Sequence, residues 1–418
     1  MIFAAALFVP TASAARHKPA ADPPPARSSQ PPAATILTGP LGFAPPGEIY
    51  LGMHYALVSL DFLDEDRLLF TFRIPGLFRR DPSGNADETE RHIRAVVLHI
   101  PDGAIQAEAI WTLHDYGRYL CMLDAGQFAV RDRDTLSLGD ASLQLTPWLH
   151  FPGPLLAVEF DPSRQFLVAS SRESTSTPAI SGEVPSPSTA QAAVTTTDGS
   201  APTTTAPKPD LTLRILRRST GQVMLVSRVR SVVHLPLNAQ GYIEPLRSRG
   251  NQWMLNLDYF TGGTTRLGVV DSTCIPGLDF LSARQFVASV CNNSDARAFV
   301  GLTSDGRRLW QVSAPDAYVW PNLTLSHGGL RLSLETLRVT HPVNAHMPLS
   351  VEDVQRQEVS VLNAATGKTA LHAEASPIYD AGGNVALSPS GRRAAILMEA
   401  GIEIFDLPDP PPLPEPQQ

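Results

Sequence analysis

Three cysteines, a close pair of histidines and a few charge clusters are the residues through which this chain could do chemistry. Cys274 and Cys291 lie symmetrically about Ser282 and Ala283, a turn between two apolar runs, so antiparallel pairing would set them opposite each other. Facing residues of a non-hydrogen-bonded pair approach closely enough for a disulfide; the alternative is two buried thiols. Cys121 sits in the apolar run Arg118–Leu123 and reads as core rather than nucleophile. Three cysteines are too few for a disulfide framework and wrongly spaced for zinc. His341 and His346 could share one loop, but no third ligand accompanies them at metal-site spacing, so no metal is expected. Asp61, Asp64, Glu65 and Asp66 lack the spacing and the glycine of a calcium loop and read as a solvated turn. Scattered carboxylates form no acid and base pair by spacing. No nucleophile elbow, phosphate-cradling glycine loop or dinucleotide fingerprint appears, so no cofactor is implied.

These residues must be positioned by short strands. Val58–Phe70, Leu156–Val168, Gly277–Ala288 and Val385–Ile396 each join two apolar runs through turn-forming residues, the pattern of a recurring β-hairpin. Weaker copies are Arg118–Leu123, Trp253–Tyr259 and Leu323–Ser333, bringing the count to seven. A second signal, an apolar strand running into a polar turn, also recurs seven times: Ala95–Gly103, Phe128–Asp134, Leu213–Gly221, Leu267–Thr273, Phe299–Gly306, Val359–Gly367 and Gly401–Leu407. Its spacing of roughly 30 to 60 residues brackets the period of a four-stranded propeller blade. No long stretch has helical apolar spacing, which excludes a helical repeat. The expected fold is an all-β, seven-bladed propeller of four-stranded antiparallel blades. Its last hairpin and Gly401–Leu407 leave one strand missing, so an N-terminal strand should close the ring, and Glu48–Met53 is the expected donor.

The turn within Leu387–Ala395, together with Thr303–Arg307 and Asn363–Lys368, resembles those of bacterial WD-repeat-like and YVTN-type β-propellers. Trp-Asp dipeptides and Gly-His starts are absent, so the eukaryotic WD type is not assigned. The resemblance implies a radial disc that presents its faces and central channel to a partner or ligand. Members range from scaffolds to hydrolases, so no activity transfers with the fold.

The apolar run Met1–Val9, followed by Ala12-Ser13-Ala14, reads as a signal peptide over residues 1–14, although no Lys or Arg precedes the run. A Pro/Ala-rich leader over 15–46, an insertion at 170–210 and a proline-rich tail over 408–418 read as disordered, leaving 47–407 as the propeller. A periplasmic or secreted monomer is expected. The net charge of −8 disfavours nucleic acid as a partner, and no stretch is long and apolar enough for a membrane span.

If blade strands are lettered A to D, links from B to C leave on the same face as links to the next blade. Pro75–Glu90, Ser170–Asp210 and His341–Gln357 all fall at such positions, so they should crowd one face, where long loops on a rigid scaffold usually bind. Phe78, Arg79, Arg80, His341 and His346 are the expected contacts there. The function expected is therefore protein-interaction or ligand binding, with an unidentified protein or glycan as partner. The alternative is a glycosidase-like propeller hydrolase using carboxylates at the central channel.

Overall fold

A computed structural model describes residues 28–45, 58–80, 89–115, 117–124, 126–173, 211–292, 297–314, 322–341, 351–379 and 381–412, giving only the backbone of 76–80, 89 and 351. Seven antiparallel sheets follow one another along the chain, as blades of a propeller. They occupy 58–113, 120–150, 155–229, 237–271, 277–314, 322–375 and 385–406, numbered blades 1 to 7, each with strands A to D from the axis outwards. Strands B and C lie between neighbouring blades and are apolar on both faces, as in the continuously buried run Phe286–Val290. Outer strands alternate instead: Ile105–Leu113 of blade 1 buries Trp111 and Leu113 while Ile110 and Thr112 face out.

Blade 4 has three full strands, Gly241–Arg247, Gln252–Tyr259 and Thr264–Asp271, and its A position is reduced to the single bridge between Leu237 and Tyr242. Pro236 explains the truncation, because without an N–H it cannot extend the ladder on its donor side. Trp253–Tyr259 is therefore strand C of blade 4, not a first hairpin, and Leu267–Thr273 belongs to its outer strand. In blade 2, strand A is only Leu120–Met122, and Phe128–Asp132 is strand B rather than C. Both shifts arise where the inner strand is too short to register in the apolar pattern; the count of seven stands.

The closing strand is Ala34–Leu37, which pairs antiparallel with Gly401–Ile404 as the outermost strand of blade 7. This corrects the expectation that residues 15–46 form a structureless leader. Glu48–Met53, the expected donor, lies outside the described residues. Just before the strand, Ser29 N donates to His372 O of blade 6 at 2.7 Å. Just after it, Leu41 and Phe43 enter the apolar seam between blades 7 and 1, with Ile36, Leu60, Phe70, Phe72, Ala395 and Ile402. Each of the seven buried clusters lies at one seam between successive blades.

Polar ties reinforce the closing seams. Ser390 N and Oγ donate to the Glu65 carboxylate at 2.6 and 2.9 Å, and Arg393 Nη1 donates to Glu65 O at 2.7 Å. Asp64 meanwhile pairs with Arg67 at 2.6 Å, so this acidic cluster is no merely solvated turn. Gly383, at φ +90°, accepts the Leu60 N–H at 2.8 Å, and a Cβ there would stand 2.4 Å from Val58 O. Only glycine allows that approach. Arg331, 1% exposed, donates to Gly391 O at 3.2 Å and also bonds Asn363 and Pro408, joining blade 6 to blade 7.

Burying Ile36, Leu41 and Phe43 is worth about 1.5–3 kcal/mol each. Ile36→Asp should therefore lower the thermal midpoint by about 10 °C or more, whereas Thr35→Asp, on the exposed side of the same strand, should move it by at most about 2 °C. Equal midpoints in the two variants would contradict closure by this strand.

Candidate functional site

The inner strands of all seven blades line a central cavity of about 730 Å³. Its wall includes A–B turn residues Asp64, Gly126, Pro162, Arg164, His327 and Pro389, so it occupies the A–B mouth of the channel. A narrower cavity of about 120 Å³ continues toward the other face, lined by Ser59, Asp61, Arg118, Tyr119, Thr324, Glu335 and Gly382. Asp61, Arg118, Leu323 and Thr324 border both and mark the waist.

The charged side chains of this wall come from different blades. In three of the inner strands an acidic residue stands just before a phenylalanine: Asp61 before Phe62, Glu159 before Phe160 and Asp279 before Phe280. All three line the large cavity. A charge recurring at one position of an otherwise apolar repeat is the sequence signal for this site, and it stands out only when the repeats are aligned.

His234, in the link leading from blade 3 into blade 4, lies between two of these carboxylates. Its Nδ1 meets Glu159 Oε2 at 2.7 Å and its Nε2 meets Asp279 Oδ1 at 3.0 Å, clamping the inner strands of blades 3 and 5 to the link between blades 3 and 4. Burial works against the charged ring, but hydrogen bonds to Asp279 and Glu159 outweigh it and push its pKa up to about 11. Its contribution to stability is fully present below the ordinary 6.5 and lost as pH climbs through about 11. The side chain is 48% exposed toward the channel, so solvent screening keeps each pair's contribution small.

At the A–B mouth, Asp124 of blade 2 holds His327 Nε2 of blade 6 at 3.0 Å and Arg218 Nη1 of blade 3 at 3.0 Å. Blades 2 and 6 are not neighbours, so the His327 pair reaches across the opening.

The waist gathers Asp61, Glu335 and Arg118. Burial pushes Asp61 up to about 6, against the opposing pull of Arg118 and the Ser59 hydroxyl. Burial likewise pushes Glu335 up to about 7, against a 2.7 Å hydrogen bond from Thr324 and the Arg118 charge. Glu335 Oε2 has no hydrogen-bond partner among the described residues. Arg118 has exposed surface although protein encircles it, because it projects into the lumen. Burial opposes its charge, yet Cys121, Asp61 and Glu335 together hold it more firmly protonated than usual. Cys121 lines the channel rather than the core, its Sγ 3.7 Å from Val158 O, and burial pushes its thiol up against Arg118 and Arg164.

The residues expected to bind from the loops are not gathered here. Phe78, Arg79 and Arg80 lie on the strand B backbone of blade 1, opposite Arg91, Glu90 and Thr89; their side chains lie outside the description. His341 is exposed, with Nδ1 3.0 Å from Thr340 Oγ1 and 3.6 Å from Asp353 Oδ1; His346 lies outside the described residues. Along the chain the three insertions join strands B and C of blades 1, 3 and 6; of their expected spans, Pro75–Arg80, Ser170–Arg172 and Val354–Gln357 are strand, and 81–88, 174–210 and 342–350 lie outside the described residues. Cys274 and Cys291 are bonded, with Cα atoms 5.6 Å apart, and fasten the link between blades 4 and 5 to the end of strand B of blade 5. Among the described residues no group of three or more His, Cys, Asp and Glu could hold a metal ion, and no helix is long and apolar enough to cross a membrane.

No family model and no curated protein matches the sequence. Among solved structures the chain is similar to an acylaminoacyl peptidase of Pyrococcus horikoshii, at TM-score 0.47 and 9% identity over 85% of this chain and 52% of that one. It is also similar to TolB from Acinetobacter baumannii, at 0.39 and 12% over 79% and 75%, and to Hsv2p of Kluyveromyces lactis, at 0.38 and 12% over 68% and 71%. The chain spans about half the length of the peptidase. These likenesses concern the propeller fold alone.

Asp61 and Glu335 both bind protons more tightly folded than unfolded, so their contribution to stability is fully present below pH 3.8 and lost as pH rises through about 6 and about 7. Glu335→Gln should therefore stabilise the protein at pH 8 by about 3 kcal/mol and leave it unchanged near pH 4. Denaturant unfolding at the two pH values checks this; a difference independent of pH would contradict it.

Proposed function

We propose that this chain is an exported binding module of the WD-repeat-like, YVTN type that draws a polar group of a protein or glycan partner into its central channel. The observation that carries this reading is the cavity of about 730 Å³, whose wall brings together charged side chains from separate blades. Export rests on the apolar run Met1–Val9 with Ala12-Ser13-Ala14, and it agrees with the Cys274–Cys291 bond, since such bonds persist in oxidising compartments. The opposite face, where Phe78, Arg79 and Arg80 end strand B of blade 1 and His341 follows strand B of blade 6, is the second contact surface on this reading. Arg79 and Arg80 suit an acidic partner there.

Cys121 is the one cysteine outside the disulfide, so a bulky maleimide can be placed inside the channel selectively. Capping it should abolish retention of native-envelope components on the immobilised protein, while Cys121→Ser protein treated identically should retain them. Undiminished retention after complete capping would overturn the channel as the binding site.

A hydrolytic reading is favoured by one observation, the two carboxyl groups at the waist that burial pushes to about 6 and about 7. Such a pair suits acid and base work near neutral pH. On this reading Asp61→Asn and Glu335→Gln each reduce release of reducing ends from an oligosaccharide panel by about 100-fold or more; wild-type protein that releases none excludes it.

A further inference from the structure

Five of the channel's cationic side chains divide into two kinds. Arg67 is spent on Asp64, His234 on Glu159 and Asp279, and His327 on Asp124, each within 4 Å. Arg118 and Arg164 have no carboxylate partner among the described residues. Arg118 makes one long hydrogen bond, Nε to Leu120 O at 3.4 Å. Arg164 reaches only Asp161 O, at 3.5 Å, and its Nε is buried without a partner. Apart from the buried Arg164 Nε, the remaining donors of the exposed Arg118 and half-buried Arg164 make no hydrogen bond to the described protein and are open to a ligand in the lumen.

Arg118, just before strand A of blade 2, and Arg164, in the A–B turn of blade 3, face one cavity, and the charge of Arg118 works against that of Arg164. The placement of Arg164 is enforced by the backbone. Arg164 sits at φ 57°, in the left-handed region that a non-glycine residue occupies at a cost of about 1–2 kcal/mol. Its turn is held there by the buried Asp161, whose carboxylate accepts the Ser163 N–H at 3.0 Å and the Phe166 N–H at 2.8 Å. Asp61 and Glu335 favour the Arg118 charge from the waist without forming an ion pair with it.

We propose that Arg118 and Arg164 form an oxyanion-binding site in the channel, which takes a carboxylate or phosphate group of the ligand between their guanidinium groups. The fork of each guanidinium matches the paired oxygens that both groups present. This deepens the binding function proposed above and rests on it.

Calorimetric titration of the full chain with inorganic phosphate and, separately, with citrate tests the site. Saturable binding of phosphate alone, citrate alone or both supports it and tells which oxyanion it prefers. Arg118→Ala and Arg164→Ala should each weaken that binding about tenfold or more, while Arg266→Ala, exposed on the outer strand of blade 4, should change it less than about twofold. Arg164→Ala, on a turn, keeps the test open if Arg118→Ala fails to fold. Binding of neither anion, or binding that both channel variants retain, overturns the proposal. Envelope components that still depend on an uncapped Cys121 in that case leave the binding function standing, so the two failures are distinguishable.

Discussion

A sheet of four strands has two edges, and seven such sheets set in a circle are only as secure as the place where the circle meets itself. Here that place is the antiparallel pairing of Ala34–Leu37 with Gly401–Ile404, which completes blade 7 with a strand from the other end of the chain. The pairing ties the ends together and covers an edge that would otherwise template another chain. The seam between blades 7 and 1 depends on it, because Ile36, Leu41 and Phe43 fill that seam from the same segment. Glu65, Ser390 and Arg393 then hold the two blades together at the A–B face. The other six seams are built by blades consecutive in sequence, so local folding can form them; this one requires the whole chain.

The channel is a consequence of that closure. Inner strands converge on the axis, and side chains far apart in sequence share one low-dielectric lumen. There, an ordinary carboxylate such as Asp61 rises to about 6, and a histidine held between two carboxylates stays charged to about 11. The arrangement separates charges that are satisfied internally from charges that are not. His234, Arg67 and His327 belong to the first group and hold blades or turns in place; Arg118 and Arg164 belong to the second.

Much of this architecture is legible in the amino-acid sequence because blades are local. Leu156–Val168 and Val385–Ile396 announce their hairpins through two apolar runs and a turn, and the three long insertions fall at B–C links. Where the inner strand shrinks to Leu120–Met122, or to one bridge beside Pro236, the apolar pattern starts a strand late and the reading shifts with it. The closing strand is obscured in the sequence for a similar reason. Only Ile36 of its four residues is buried, too brief a signal among prolines and alanines. The channel was less legible still, since nothing local in the sequence brings Arg118, Arg164 and Glu335 to one lumen. The exception is the acidic residue before phenylalanine in three inner strands, which becomes readable only once the repeats are aligned.

Hydrogen exchange measured residue by residue on the intact protein tests closure of the ring most directly. If Ala34–Leu37 completes blade 7, its bonded amides should exchange as slowly as those of Gly401–Asp406 and of the inner strand Val58–Phe62, through one shared opening event. Exchange of 34–37 within seconds, while 401–406 remains protected, would show a ring that does not depend on its N-terminal strand.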